Sequence, residues 1–210
     1  GDEAQGAEPA KIVDRLRDVW GNRPDVRLDR PDVQVQVWLF RDRATLSLDL
    51  SGESLHRRGY REEGSAAPLK ENLAAAILMR ASWPELAAQG DSLVDFMCGS
   101  GTLPIEAALM AADIAPGLLR DYWGFLGWRG HDPAAWADLI AEAQARRDAG
   151  LARLPPIRGY DQDPTAIRVA LNNAAGAGLA GRVHFERRDL DVAAPGREGE
   201  TGLVVLNPPY

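Results

Sequence analysis

The sequence predicts an α/β fold, a mostly parallel sheet with helices on both faces, preceded by part of a smaller α/β domain. Three observations carry this. From residue 91 onward short apolar runs alternate with helical patterns, the signature of parallel strands joined by crossovers. The first of these runs ends in a glycine-bearing turn, Gly99-Ser100-Gly101, that opens directly into a helical pattern. Ahead of it, two alternating runs flank a short polar turn and read as a β-hairpin.

Taken in order, residues 11–20 place Ile12, Val13, Leu16, Val19 and Trp20 at helical spacing. Residues 33–40 alternate Val33, Val35, Val37 and Leu39 against Gln34 and Gln36, the pattern of a half-buried strand, and Leu46, Leu48 and Leu50 repeat it after the turn at Arg41-Asp42-Arg43. A helix from Pro68 is expected to turn Leu69, Leu73, Ile77 and Met79 inward or partly inward and to end at Pro84. Strands are predicted over 91–98, 157–161, 183–189 and 202–209, with helices over 102–112 and 163–178. The last helix has Asp163 as cap and Pro164 at its first position. Residues 112–155 form an insertion. Its first half is rich in glycine and aromatics, and its second half is a helix starting at Asp132-Pro133. Trp123, Phe125, Trp128 and Trp136 there form either a base-stacking surface or, more commonly for such clusters, a staple for the loop. The domain boundary is expected at 61/62.

Length and composition bound the class. The 210 residues carry 24 Lys+Arg against 31 Asp+Glu, a net charge of −7, with 45% hydrophobic and 26% charged residues. This is an ordinary globular composition, and it excludes a collagen-like or wholly disordered chain. No apolar run approaches the ~18 residues of a membrane span. The acidic N-terminus lacks a signal-peptide pattern, so a cytoplasmic location and no membrane partner are expected. One cysteine, Cys98, and three scattered histidines make neither an internal disulfide nor a zinc set, so no metal is expected. The charge is uneven: residues 11–61 carry eleven basic and eight acidic groups. Within them Arg57, Arg58 and Arg61 surround Gly59 and Tyr60 in a connector that is either a solvated linker or a strip that contacts nucleic-acid phosphates.

The chemistry concentrates at strand ends. In Asp95-Phe-Met-Cys-Gly99-Ser-Gly101-Thr102 the glycines allow close approach of backbone to a ligand. A dinucleotide fingerprint needs a third glycine where Pro104 stands, and a phosphate loop needs a Gly-Lys pair that is absent. An acidic strand followed by such a turn suits a ligand with a cationic group and no phosphate, of which S-adenosylmethionine is one. Asp161, at the next strand end, suits the two hydroxyls of a ribose. Its 60-residue distance from Gly101 reflects the insertion. Asp189, after the third strand, suits an adenine amino group. Asn207-Pro208-Pro209-Tyr210 closes the fourth strand. The Asn207 amide oxygen and the Pro208 carbonyl can accept both hydrogens of an exocyclic base amine, and Tyr210 can stack on the base.

DFMCGSGT, GYDQDP, RRDL and NPPY, in this order, resemble the motifs of class I (Rossmann-like) methyltransferases that act on base amino groups. LHRRGYRE, APLKENLAAAIL and the insertion APGLLR…GHDPAAW are similar to the bacterial large-subunit ribosomal RNA methyltransferase K/L family. The resemblance implies methylation of guanine N2 in 23S rRNA with S-adenosylmethionine as cofactor. It implies RNA of the large ribosomal subunit precursor as partner, and residues 1–61 as the second part of a THUMP RNA-binding domain with its connector. Residues 62–210 would be the first part of the catalytic domain, with four of the family's seven strands, so the chain reads as a fragment. Carried onto this sequence, cofactor contacts fall to Asp95, Cys98, Gly99, Ser100, Gly101, Thr102, Asp161, Gln162, Asp189 and Leu190. The target base falls to Asn207, Pro208, Pro209 and Tyr210. Cys98 is expected to be a small buried residue and no nucleophile, because amino-group methylation needs no covalent base adduct. The adenine N6 amine of DNA is the alternative substrate, and a non-catalytic RNA-binding fragment the alternative role.

Overall fold

The computed structural model describes residues 13–27, 31, 33–61, 69–192 and 199–208. The chain divides into two compact units, one of Gly1–Glu53 with Tyr122–His131, the other of Ser54–Asp121 with Asp132–Tyr210. The aromatic part of the insertion therefore belongs to the first unit and its helix to the second.

In the first unit, helix α1 spans 13–20, and strands β1 (Gln34–Phe40) and β2 (Arg43–Asp49) form the antiparallel hairpin. The turn is two residues long, Arg41 and Asp42, both with positive φ (47° and 60°), the geometry whose twist matches that of the strands. Val35 faces Leu48, Val37 faces Leu46 and Leu39 faces Ala44, so the alternation does sort the apolar residues onto one face. The expectation of half-burial is corrected: Leu39, Leu46 and Leu48 are 63%, 65% and 55% exposed. Gly124, in the 3₁₀ turn Gly124–Gly127, lies where a Cβ would come within 3.1 Å of Asp49 O, and Phe125 N–H donates to Leu50 O at 3.0 Å. Trp123 and His131 both pack near Phe125, with ring centroids 5.9 and 5.4 Å from it.

The second unit holds four parallel strands, β3 (Ser92–Asp95), β4 (Ile157–Asp161), β5 (His184–Arg187) and β6 (Gly202–Val204), in the order β5-β4-β3-β6. The chain moves outward from β3 to β5 and then returns to the other side of β3. The carboxyl ends of β3 and β6 thus flank a topological switch point, where open α/β sheets bind ligands. Helices α2 (Glu71–Arg80), α3 (Trp83–Ala88), α4 (Thr102–Ala111), α5 (Pro133–Leu151) and α6 (Pro164–Gly176) complete the unit. Helix α4 packs on β3 and β4, α6 on β4 and β5, and α2 on α4. Leu78, Trp83, Leu93, Ile105, Ile157 and Leu179 are fully buried, and the Trp83 indole donates to Ala107 O at 2.9 Å.

Two local expectations are corrected. The inward stripe of α2 is Glu71, Ala74 and Leu78, while Leu73 and Met79 are 50% and 64% exposed. Ala74 and Leu78 are as apolar as Leu73 and Ile77, and packing against α4 selects the stripe whose alanine allows close approach. Pro84 starts α3 instead of merely ending α2, since proline is compatible with a first turn. No helix among the described residues is long and apolar enough to cross a membrane.

Candidate functional site

A cleft of about 930 Å³ opens at the carboxyl edge of the second unit's sheet, lined from β3 and its turn, from the β4–α6 junction, from the segment after β5 and from Asn207-Pro208. Its volume suits a nucleoside-sized ligand.

The turn after β3 is built tightly. Cys98 N–H donates to Tyr160 O at 2.9 Å and Gly101 N–H to Cys98 O at 2.8 Å. Gly99 and Gly101 have φ of 52° and 81°. A Cβ on Gly101 would meet Phe185 at 2.9 Å and Ala170 at 3.0 Å, whereas one on Gly99 would meet nothing within 4 Å. The two glycines therefore do different things: Gly101 lets α4 start against β5 and α6, and Gly99 gives the turn its left-handed bend. Helix α4 begins with no side-chain cap, and Thr102 and Leu103 of its first turn line the cleft.

Asp95 is 1% exposed and its Oδ1 accepts Met97 N–H at 3.0 Å. Burial pushes its carboxyl up to about 7, against the Met97 hydrogen bond, and the charge of Asp161 raises it further. Asp161 accepts two backbone donors, Gly99 N–H on Oδ2 and Asp163 N–H on Oδ1, each at 2.9 Å. Asp163 caps α6 by accepting Thr165 N–H at 2.8 Å. Burial raises the Cys98 thiol far above its usual range, with Asp95 adding to the effect, which keeps it neutral and consistent with a small packing residue.

The cleft lining gathers Asp95, Cys98, Gly99, Ser100, Thr102, Asp161, Gln162 and Leu190 with Asn207 and Pro208. Gly101 belongs to the turn but lies outside that lining. Asp189 is exposed and also outside it; its neighbours Arg188 and Leu190 face the cleft instead. Pro209 and Tyr210 lie outside the described residues. Arg188, the one arginine among the described lining residues, stands 5.1 Å over the Tyr160 ring and pairs with Glu186 at 3.0 Å. Against it stand the three carboxylates of Asp95, Asp161 and Asp163, so the lining favours a cation.

The arginines of the connector fare differently from the phosphate-contact reading. Arg58 donates to Glu106 Oε2 at 3.3 Å, and Tyr60 OH to Glu106 Oε1 at 3.2 Å. Arg61 pairs with Glu71 at 3.2 Å and donates to Thr102 Oγ1 at 2.9 Å and Leu69 O at 3.0 Å. The Arg58 and Arg61 side chains are only 12% and 15% exposed, and only Arg57 points to solvent. Burial raises Glu106 above the usual carboxylate range, with Arg58 opposing it.

Residues missed by the sequence reading include Asn173, 1% exposed, whose side-chain amide donates to Ser100 O at 2.9 Å. The available signal was an asparagine on the buried stripe of α6, with Ile167, Ala170 and Ala174. Among the described residues no cluster of three or more His, Cys, Asp or Glu is arranged to hold a metal ion.

Comparison with known proteins places this geometry. Residues 58–210 match the family model described as RMKL-like, methyltransferase domain, and residues 10–49 match the THUMP domain model. Proteins named ribosomal RNA large subunit methyltransferase K/L are similar throughout. The one from Allochromatium vinosum is 61% identical over 95% of this chain and 27% of its own length. That from Methylococcus capsulatus is 59% identical over 98% of this chain and 28% of its length. This chain thus spans little more than a quarter of those relatives. Among solved structures, a Listeria monocytogenes protein described as a predicted N6-adenine-specific DNA methylase has a TM-score of 0.80 at 34% identity, over 96% of this chain and 51% of its own. SMU.472, described as a methyltransferase and solved in complex with SAH, has a TM-score of 0.79 at 32% identity, over 98% and 52%. The fold of the second unit is that of a class I methyltransferase.

Proposed function

The chain belongs to the RMKL-like methyltransferase domain family, and on that premise we propose that it transfers a methyl group from S-adenosylmethionine to the exocyclic N2 amine of a guanine in 23S rRNA. The observation that carries the reading is a switch-point cleft whose lining gathers three carboxylates with Asn207-Pro208. S-adenosylmethionine, when bound, supplies an electrophilic methyl group on a cationic sulfur. Asp95 and the Gly99–Thr102 turn hold the amino-acid part, Asp161 the ribose, and Gln162 and Leu190 border the adenine, with Asp189 beside them.

In the same cleft, the Asn207 amide oxygen and the Pro208 carbonyl accept the two N–H groups of the base amine. An aromatic amine is a poor nucleophile because its lone pair is delocalised into the ring. Two acceptors on its hydrogens favour the pyramidal form, whose lone pair forms the new N–C bond as the S–C bond breaks and sulfur keeps that pair. The proton lost from nitrogen passes to solvent. Pro209 fixes the extended turn and Tyr210 stacks on the base. Residues 1–61 act as the RNA-binding portion and connector, with Arg57 as the connector's phosphate contact, and the substrate is cytoplasmic RNA of the large subunit.

The Listeria neighbour's description supports a second reading, transfer to the adenine N6 amine of DNA, because two acceptors serve either amine. Labelled S-adenosylmethionine given to the full-length protein with undermethylated 23S rRNA and unmethylated DNA in one tube separates them. Label in N2-methylguanosine is the result expected. Label in N6-methyladenine of the DNA overturns the RNA assignment, and label in neither overturns the enzyme.

A further inference from the structure

The cleft's acids suit the cationic parts of a methyl donor, but the donor's amino-acid moiety also carries a carboxylate. That group needs donors, and Arg188, the one arginine among the described lining residues, is already paired with Glu186. Thr102 is the polar first residue of α4, 5% exposed, and it lines the cleft. Its hydroxyl oxygen accepts from Arg61 Nη2 at 2.9 Å. A guanidinium only donates, so Thr102 Oγ1 must act as acceptor there, and its single proton is directed elsewhere. Among the described residues the alternative for that proton is Ser100 Oγ, at a long 3.4 Å. A carboxylate oxygen in the cleft is a stronger acceptor than that hydroxyl.

Arg61 is itself fixed. Its charge is met by Glu71, 8% exposed on α2, and the same Nη2 donates to the carbonyl of Leu69, another lining residue. We propose that Arg61 is a positioning residue for the methyl-donor cleft: anchored on Glu71, it turns the Thr102 hydroxyl into a donor aimed at the carboxylate of the ligand. Arg58, two residues before Tyr60 and bound to Glu106 as Tyr60 is, is structural only and serves as the contrast. The inference rests on the cofactor assignment proposed above.

The test compares binding of S-adenosylhomocysteine with that of 5′-methylthioadenosine, which has the nucleoside and sulfur but no carboxylate. Titration calorimetry is done on the full-length protein. Arg61→Met and Thr102→Val should each weaken S-adenosylhomocysteine binding by at least roughly tenfold, the scale of a hydrogen bond to a charged group. Both should leave 5′-methylthioadenosine within about twofold, and Arg61→Lys should recover part of the loss, since lysine keeps the charge without the planar fork. Arg58→Met should lower the melting temperature and leave the ratio of the two affinities as in the wild type. Equal loss of both ligands in Thr102→Val, or an unchanged ratio in both Thr102→Val and Arg61→Met, overturns the proposal. Thr102→Val keeps the Arg61–Glu71 pair intact and so remains informative if Arg61→Met fails to fold. Absence of S-adenosylhomocysteine binding to the wild type would instead overturn the cofactor assignment itself.

Discussion

Asp161 Oδ2 accepts the backbone N–H of Gly99 at 2.9 Å, so the carboxylate at the end of β4 is tied to the turn at the end of β3. Its other oxygen accepts Asp163 N–H, which orders the entry to α6. One side chain thus organises two of the segments that line the cleft while keeping free lone pairs on both oxygens for a ligand's hydroxyls.

Asp161→Ala removes the ligand contact and frees Gly99 N–H together. The expected cost to S-adenosylhomocysteine affinity is about 1.5–3 kcal/mol, the scale of a charged hydrogen bond. Calorimetry showing wild-type affinity would remove Asp161 from the cofactor site.

The buried Asp95 carboxyl, pushed up to about 7 from an ordinary 3.8, predicts a pH dependence. Because its folded value is raised, the native state holds a proton that the unfolded state has lost between those two values. Stability therefore falls as pH rises from about 4 to 7 and levels off above it. Ligand affinity runs the other way: a cationic methyl donor favours the ionised carboxylate, so S-adenosylmethionine binding should tighten as pH rises through about 7. Asp95→Asn should flatten both profiles, measured by denaturant unfolding and by calorimetry between pH 5.5 and 8.5. A wild-type affinity that does not change across that range would contradict the assignment of Asp95 to the cation.

Asn207→Ala should lower turnover by roughly 10²–10³, as for loss of one preorganised transition-state contact. Cofactor affinity should stay within about twofold, because Asn207 is assigned to the base and not to the methyl donor. Single-turnover methyl transfer reads the first quantity and calorimetry the second. Retained turnover would contradict the base-amine geometry.

The strands, the hairpin and the glycine turn were legible because each is specified locally: apolar runs bounded by turn residues, alternation around Arg41-Asp42, and a Gly-x-Gly at a strand end. What escaped depended on partners distant in sequence. Arg58 and Arg61 read as solvent-facing because Glu106 and Glu71 are brought to them only by the packing of α4 and α2. The face of α2 was ambiguous because Leu73 and Ile77 offer as apolar a stripe as Ala74 and Leu78, and only contact with α4 decides between them. At the third strand end the acidic residue was the natural choice for the cleft, yet the turn presents Arg188 and Leu190 to it and leaves Asp189 exposed.

The two turn glycines make a last separable prediction. Both have positive φ, so an alanine at either carries backbone strain of about 1 kcal/mol or more. At Gly99 nothing lies within 4 Å of the new methyl, so Gly99→Ala should cost little beyond that strain and keep the fold. At Gly101 the methyl would stand 2.9 Å from the Phe185 ring and 3.0 Å from Ala170 Cβ, both packed in the core. Overpacking adds to the strain there, for a total of about 2–4 kcal/mol. Urea unfolding of the two variants should therefore separate them by at least about 1 kcal/mol, with Gly101→Ala the weaker fold. Equal stabilities would mean that α4 does not begin as tightly against β5 and α6 as the geometry indicates.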